Sequence, residues 1–279
     1  MPAHSASIAL LVGISHYSSN NTGWDDINGV NDIRILYGRL QQEGFVIDTL
    51  TESNATAANI RNALHALSTR TKSNDTIYLH FSGHGQPMED ADGDEQDGWD
   101  ETFIPIDAQM WYKQGVYEGN NHITDDELNI CFNHIRRKIG EKGLLFVVFD
   151  ACHSGTMSRE GSDANIDDDA AVRGTYIGFS KDKEYHPLRE QKPTCHYDIR
   201  QESTLSPVII LEACQAWQQN IEVLVDGKYY GPLSYAIYHQ LQAESFSRTA
   251  LQPEVIQGYM QEIIPSWRKQ QMVIEQSAR

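Results

Sequence analysis

Several absences narrow the field. No apolar run approaches the roughly 20 residues that span a bilayer. The first, Ile8 to Ile14, has no basic segment before it and is too short for a signal h-region followed by a cleavage site, so it reads as a buried strand. Cysteine is scarce and scattered: Cys131, Cys152, Cys195 and Cys214 show none of the short paired spacings of a zinc site or a secreted disulfide scaffold. Reduced thiols and a cytoplasmic location are the simpler expectation. Basic residues are few, 22 Lys and Arg against 39 Asp and Glu, for a net charge of -17. Such a surplus repels nucleic acid and anionic lipid, so neither is expected as a partner, while cationic substrates and metal cations are favoured. There is no internal repeat, no low-complexity tract, and no Gly-x-Ser-x-Gly elbow of a serine hydrolase.

What is present is an ordinary globular composition, 40% apolar and 22% charged over 279 residues. Apolar runs of strand length recur at Ile8–Ile14, Phe45–Leu50, Thr76–Phe81, Leu144–Phe149 and Pro207–Leu211. Between them lie helical periods. Asn31–Gln42 aligns Ile33, Ile35, Leu36 and Leu40; Thr56–Leu67 aligns Ile60, Leu64 and Leu67; Asp125–Ile139 aligns Leu128, Ile135 and Ile139. Gly231–Leu241 and Pro253–Ile264 read as closing helices. Strand, helix, strand in this rhythm predicts an α/β fold, a mostly parallel sheet with helices on both faces. Two stretches break the rhythm: an acidic loop, Glu89–Glu101, and a long polar stretch, Thr156–Ser206, read as an exposed loop.

Active sites of open parallel sheets form at the carboxyl ends of the strands. Two of those ends carry reactive groups. Thr76–Phe81 runs into Ser82-Gly83-His84-Gly85, and Leu144–Phe149 into Asp150-Ala151-Cys152-His153-Ser154-Gly155. A thiol becomes a useful nucleophile near neutral pH when an imidazole stabilises its thiolate, and the imidazole can then protonate a leaving amine. Taken singly, either residue is as readily a buried core group.

Taken together, and in this order, the two motifs resemble those of the metacaspases and their bacterial caspase-like relatives, peptidases of the C14 type. The likeness extends over Leu10–Tyr17, Asn31-Asp32, Asp97-Gly98-Trp99-Asp100-Glu101 leading to Pro105-Ile106-Asp107, Ile123–Leu128, and Ala213-Cys214 with Gln218, roughly residues 8 to 240. It implies a caspase-haemoglobinase-like sheet in one domain, 1–279. A large-subunit-like region, 1–155, would be joined through a linker, 156–206, to a small-subunit-like region, 207–279. Strand one begins almost at once, so no appended recruitment domain is expected.

The resemblance further implies a cysteine endopeptidase in which Cys152 is the nucleophile and His84 the general acid and base. His153 belongs to the motif without being the catalytic imidazole. The backbone N–H groups of Gly85 and Cys152 would form the oxyanion hole. No Arg follows Cys152 to hold an acidic P1 residue, the one before the scissile bond. Asp150, two residues earlier, instead selects Arg or Lys by charge, and the family pattern adds Asp32 to the pocket floor. Read in isolation, Asp32 is equally a helix cap and Asp150 a strand-end acceptor. The protein's partners would be protein or peptide substrates with a basic P1 residue.

No cofactor is needed for this chemistry. The family's calcium ligands would fall on Asp100, Asp125 and Asp126, but its fourth carboxylate is replaced by Arg159, with Glu160 or Asp163 as substitutes, and a solvated acidic face is the alternative. Activation would come from a metal, a partner encoded elsewhere or cleavage of the linker. The linker offers Arg159, Arg173, Lys181, Lys183, Arg189, Lys192 and Arg200 for self-cutting. The family's Ser-Ala-Cys-x-Asp-x-Gln segment reads Glu212-Ala213-Cys214-Gln215-Ala216-Trp217-Gln218, a departure expected to affect subsites beyond P1. The rival reading is a catalytically silent caspase-like scaffold that binds partners.

Overall fold

The computed structural model describes residues 5–93, 95, 98–152, 170–175, 177–183, 197–200, 202, 204–215, 218–247, 251–266 and 270–277. The apolar runs become strands β1 (Ser7–Gly13), β2 (Val46–Thr51), β3 (Thr76–Ser82), β7 (Leu144–Asp150) and β8 (Val208–Glu212). The helical periods become α1 (Gly29–Gln42), α2 (Ala57–Arg70), α3 (Asp125–Ile139), α4 (Pro232–Ala243) and α5 (Pro253–Ile263). With β11 (Val273–Gln276), the strands form a six-stranded sheet in the order β11-β8-β7-β3-β1-β2. All pairings are parallel except β11 on β8 at one edge.

Period-two alternation along the central strands divides the core. Ile8, Leu10 and Val12 of β1, with Leu145, Val147 and Phe149 of β7, pack under α2 and α3 through Ile60, Leu64, Leu128 and Phe132. Ala9 and Leu11, with Phe146 and Val148, face α1, α4 and α5 through Leu36, Leu40, Leu233, Ile237 and Met260. Fully burying such side chains contributes about 1.5–3 kcal/mol each, which fixes strand register and thereby what lies beyond the strand ends. No helix among the described residues is long and apolar enough to cross a membrane.

Two expectations need correction. The acidic segment is not all loop, because β4 (His84–Glu89), β5 (Trp99–Ile104) and β6 (Ile123–Thr124) form a separate antiparallel sheet. Trp99–Ile104 is buried throughout, and that burial outweighs its acidic flanks. Nor is the polar stretch simply an exposed loop. Within it Arg173 is fully buried, drawn in by carboxylates described below, and Phe179 is buried against Tyr117 and His122. A short hairpin, β9 (Val223–Val225) with β10 (Lys228–Tyr230), precedes α4.

Candidate active site

Adjacent strands β3 and β7 pair Ser82 with Asp150 at the last rung of their ladder. His84 and Cys152 each lie two residues past that rung, so parallel register alone brings the two motifs to one rim. Contact is close: a side chain at Gly85 would place its Cβ 2.2 Å from the Cys152 carbonyl oxygen, so only glycine fits there.

The His84 ring is held on three sides. Trp24 stacks on it at 4.9 Å, Tyr17 lies at 4.7 Å, and Nε2 is 2.9 Å from the Asp25 carbonyl oxygen. A carbonyl only accepts, so Nε2 carries the proton and the neutral ring keeps its lone pair at Nδ1. Nδ1 is buried and has no hydrogen-bond partner among the described residues. Burial pushes the imidazole down to about 4, against the opposing pull of the Asp25 carbonyl. At neutral pH His84 is therefore an uncharged base. The Cys152 thiol is buried and donates to the Gln218 carbonyl oxygen at 3.3 Å, which also accepts from Cys214 at 3.4 Å.

Asp32 and Asp150 meet below this pair, both fully buried. Asp32 Oδ1 accepts from the Gly231 N–H at 3.0 Å, and Oδ2 from the Ser82 hydroxyl. Asp150 accepts from Asn220 Nδ2 at 2.7 Å and, at the N-terminus of α4, from the Ser234 N–H at 2.7 Å and hydroxyl at 2.6 Å. A helix N-terminus favours an anion there. Behind Ser234 stands His80, 2.9 Å away, itself 3.0 Å from the Tyr78 hydroxyl.

The acids enclose a guanidinium from the chain itself. Arg173 Nη1 lies 2.6 Å from Asp32 and 3.5 Å from Asp150, while Nε and Nη2 reach Glu222 at 3.1 and 3.0 Å. Burial works against the charge on Arg173, but Asp32, Asp150 and Glu222 together raise its pKa above the usual value. Asp32 is pushed up to about 7 by burial, which the guanidinium opposes and Asp150 reinforces. A charged Arg facing three acids is the state these contacts favour.

The backbone of the same segment is held as well. Ala171 and Arg173 pair antiparallel with 220–222: the Arg173 N–H donates to Asn220 O at 2.9 Å, and the Glu222 N–H to Ala171 O at 3.0 Å. The Cys152 N–H donates to the Arg173 carbonyl oxygen at 2.6 Å, and the Thr175 N–H to Gly85 O at 3.1 Å. Gly174 has φ of +142°, and a Cβ there would lie 2.7 Å from the Cys152 Cβ.

A sequence profile for the metacaspase, peptidase C14 domain matches residues 8–159. The chain belongs to the metacaspase family. Metacaspase-1 of Eremothecium gossypii is 37% identical over 155 residues, covering 53% of this chain and 32% of that protein. Metacaspase-1B of Aspergillus fumigatus is 30% identical over 269 residues, covering 84% and 61%. The chain thus spans from about a third to three fifths of the length of these curated relatives. In fold it is similar to a protein of Geobacter sulfurreducens (TM-score 0.64, 18% identity, 98% and 93% of the two chains) and to pro-sf-caspase-1 (TM-score 0.53, 13% identity, 97% and 87%).

For this family member, the expected residues fall into two groups. His84, Gly85, Cys152, Asp32 and Asp150 converge on one rim. As for the expected calcium ligands, no cluster of three or more His, Cys, Asp or Glu side chains arranged to hold a metal ion is found among the described residues. Asp125 and Glu101 lie near enough to Tyr197 to raise its phenol, after burial, whereas Asp126 is raised by partial burial and by Asp92, Asp90 and Glu95. His153, Arg159, Glu160 and Asp163 lie outside the described residues.

Sequence reasoning missed Glu222, Asn220, Trp24 and Asp25. Asp25 contributes a backbone carbonyl, which any residue carries, whereas Asn220 contributes both a carbonyl and the side-chain amide that donates to Asp150. Glu222 is one acid among many, and its only signal is its place soon after the Cys214–Gln218 segment.

Proposed function

We propose that this metacaspase is a cysteine endopeptidase that cuts peptide chains after Arg or Lys. Cys152 gives its proton to Nδ1 of His84, and its sulfur adds to the P1 carbonyl carbon. The Cys152 N–H, with that of Gly85 as its expected partner, stabilises the oxyanion. His84 then returns the proton to the leaving amine, and water hydrolyses the thioester with His84 again as base. Asp32, Asp150 and Glu222 bind the P1 cation, and segment 220–222 accepts the substrate backbone by β-type pairing. One observation carries the reading: a basic side chain among three buried acids has its own carbonyl oxygen on the Cys152 N–H.

Peptides differing only in Arg, Lys or Asp at P1, offered to wild type and to Cys152→Ala, test it. Arg and Lys peptides are cut by wild type alone, and Asp peptides far more slowly. Preference for Asp would sink the pocket assignment, and cutting by Cys152→Ala the mechanism.

A further inference from the structure

Alternation along β3 sends Tyr78, His80 and Ser82 in file to one face of the sheet. Ser82 serves Asp32 directly. Tyr78 and His80 are flanked in register by Ala9 and Phe146 and by Leu11 and Val148, all apolar. Both are fully buried, and the mechanism above uses neither. A polar pair in such surroundings is costly unless every polar atom is matched.

The match runs in one direction only. The Ser234 hydroxyl donates to Asp150 Oδ2 at 2.6 Å, since a carboxylate only accepts. With its one proton placed there, the hydroxyl accepts from His80 Nε2, 2.9 Å away, so Nε2 carries the ring proton. Nδ1 keeps its lone pair and accepts from the Tyr78 hydroxyl at 3.0 Å, that hydroxyl's one hydrogen-bond partner among the described residues. Burial pushes the imidazole down to about 3, opposed by Asp150 and aided by Arg173, so the ring is neutral. Tyr78 is itself clamped, stacked on Phe146 at 5.6 Å and edge-on to Phe45 and Phe246.

The opposite tautomer would reverse the chain. With the proton on Nδ1, Nε2 would draw the Ser234 hydroxyl proton to itself and leave Asp150 Oδ2 with the Ser234 N–H alone. A buried carboxylate keeps its charge through the donors that replace water. Oδ1 of the same group faces the P1 side chain's place, 3.5 Å from Arg173 Nη1. Resting on the reading above, we propose that Tyr78 and His80 are positioning residues of the P1 pocket. The one-way chain from Tyr78 through His80 and Ser234 holds the Asp150 carboxylate charged and turned toward a basic P1 side chain. Both residues act through others and touch no substrate, so they govern recognition of charge and leave the chemistry at Cys152 to His84.

The test sets an Arg-P1 peptide against the same peptide with citrulline, the uncharged analogue of Arg, competing in one reaction with full-length enzyme. The ratio of the two kcat/KM values does not depend on how much enzyme is folded or how often its own Arg173 leaves the pocket, so a loss of stability alone does not move it. Wild type prefers Arg. Tyr78→Phe, which removes a single oxygen, and His80→Phe each lower the ratio about three- to tenfold. His80→Gln, whose amide keeps a donor toward Ser234, restores most of it. In an Asp150→Asn background, where the charge is already gone, Tyr78→Phe changes the ratio no further. Nitrogen NMR on Cys152→Ala reads the tautomer without activity: His80 is neutral with its proton on Nε2 from about pH 5 to 8. The proposal falls if folded Tyr78→Phe keeps the wild-type ratio, if His80→Gln loses as much as His80→Phe, or if the proton resides on Nδ1. Wild type that cuts both peptides equally would instead overturn the pocket assignment, and wild type that cuts neither the peptidase reading, and this proposal with them.

Discussion

His84 and Cys152 divide the proposed chemistry between them, and that division sets what each substitution costs. Cys152→Ala removes the only atom that bonds to the substrate and should leave no measurable turnover. His84→Ala removes proton transfer at both steps and should lower kcat by about a hundred- to ten-thousand-fold. His153→Ala should retain clear turnover; its loss in a progress-curve assay would show that the wrong imidazole was chosen. Asp32 adds a pH dependence. With the guanidinium beside it, its acid is raised to about 7, so the carboxylate is present above that pH and protonated below it. Removing Arg173 removes the guanidinium that lowers it, while water entering the pocket relieves the burial that raises it, so the two changes oppose each other. For cut enzyme, KM for an Arg-P1 peptide should therefore rise as pH falls from 8 to 6, and Asp32→Asn should flatten that change while raising KM throughout. A wild-type KM level across this range would contradict the assignment. Asp32 was legible through the family resemblance and Asp150 through its place at the end of the strand before Cys152. Arg173 and Glu222 were not, since what joins them is charge complementarity across the fold, and local spacing carries no trace of it.

Elements were legible where a period survives along the chain. Helix α3 shows every local signal: Thr124 at its N-cap accepts from the Glu127 N–H, Asp125, Asp126 and Glu127 fill the first turn, and Arg136, Arg137 and Lys138 the last. Its expected and observed bounds agree. Strands β4 and β5 escaped because His84–Glu89 carries Gly85 and Pro87, poor strand residues, and because Trp99–Ile104 mixes acids with aromatics instead of alternating. What makes them strands is each other, through a ladder from His84↔Ile104 to Glu89↔Trp99. Edge strand β11 escaped for the same reason, four residues stabilised by pairing with β8. The α3 cap gives a stability prediction at this scale. Thr124→Ala should cost about 1 kcal/mol, lowering Tm by about 2–4 °C. Thr124→Ser, which keeps the hydroxyl, should restore most of it. Equal losses in calorimetry for the two variants would show that the methyl group, packed at the end of β6, matters more than the cap.

At the scale of the molecule, a cut in the expected linker, 156–206, would fall between strands whose pairing does not depend on chain continuity. Strands β1, β2, β3 and β7 lie before residue 173; β8 and β11, with α4 and α5, lie after it. The seam is the parallel ladder from Leu145↔Val208 to Phe149↔Glu212, and Leu211, Leu233, Ile237 and Met260 from beyond the cut share one core with Leu11, Leu36 and Phe146 from before it. Separating the two pieces would expose that whole face to water, so the fragments on either side of such a cut should elute together in gel filtration. Their unfolding should nevertheless change in kind. An intact chain unfolds to one molecule, so its Tm does not depend on protein concentration. A cut chain unfolds to two, and mass action then favours the folded pair at higher concentration. Calorimetry over about a hundredfold range of protein should find a flat Tm for Cys152→Ala, which stays whole, and a rising Tm for cut wild type. A flat Tm for both would mean that the pieces remain associated after unfolding. Separate elution in buffer would mean that the seam does not hold without the chain across it, and that cutting dismantles the sheet on which the site is built.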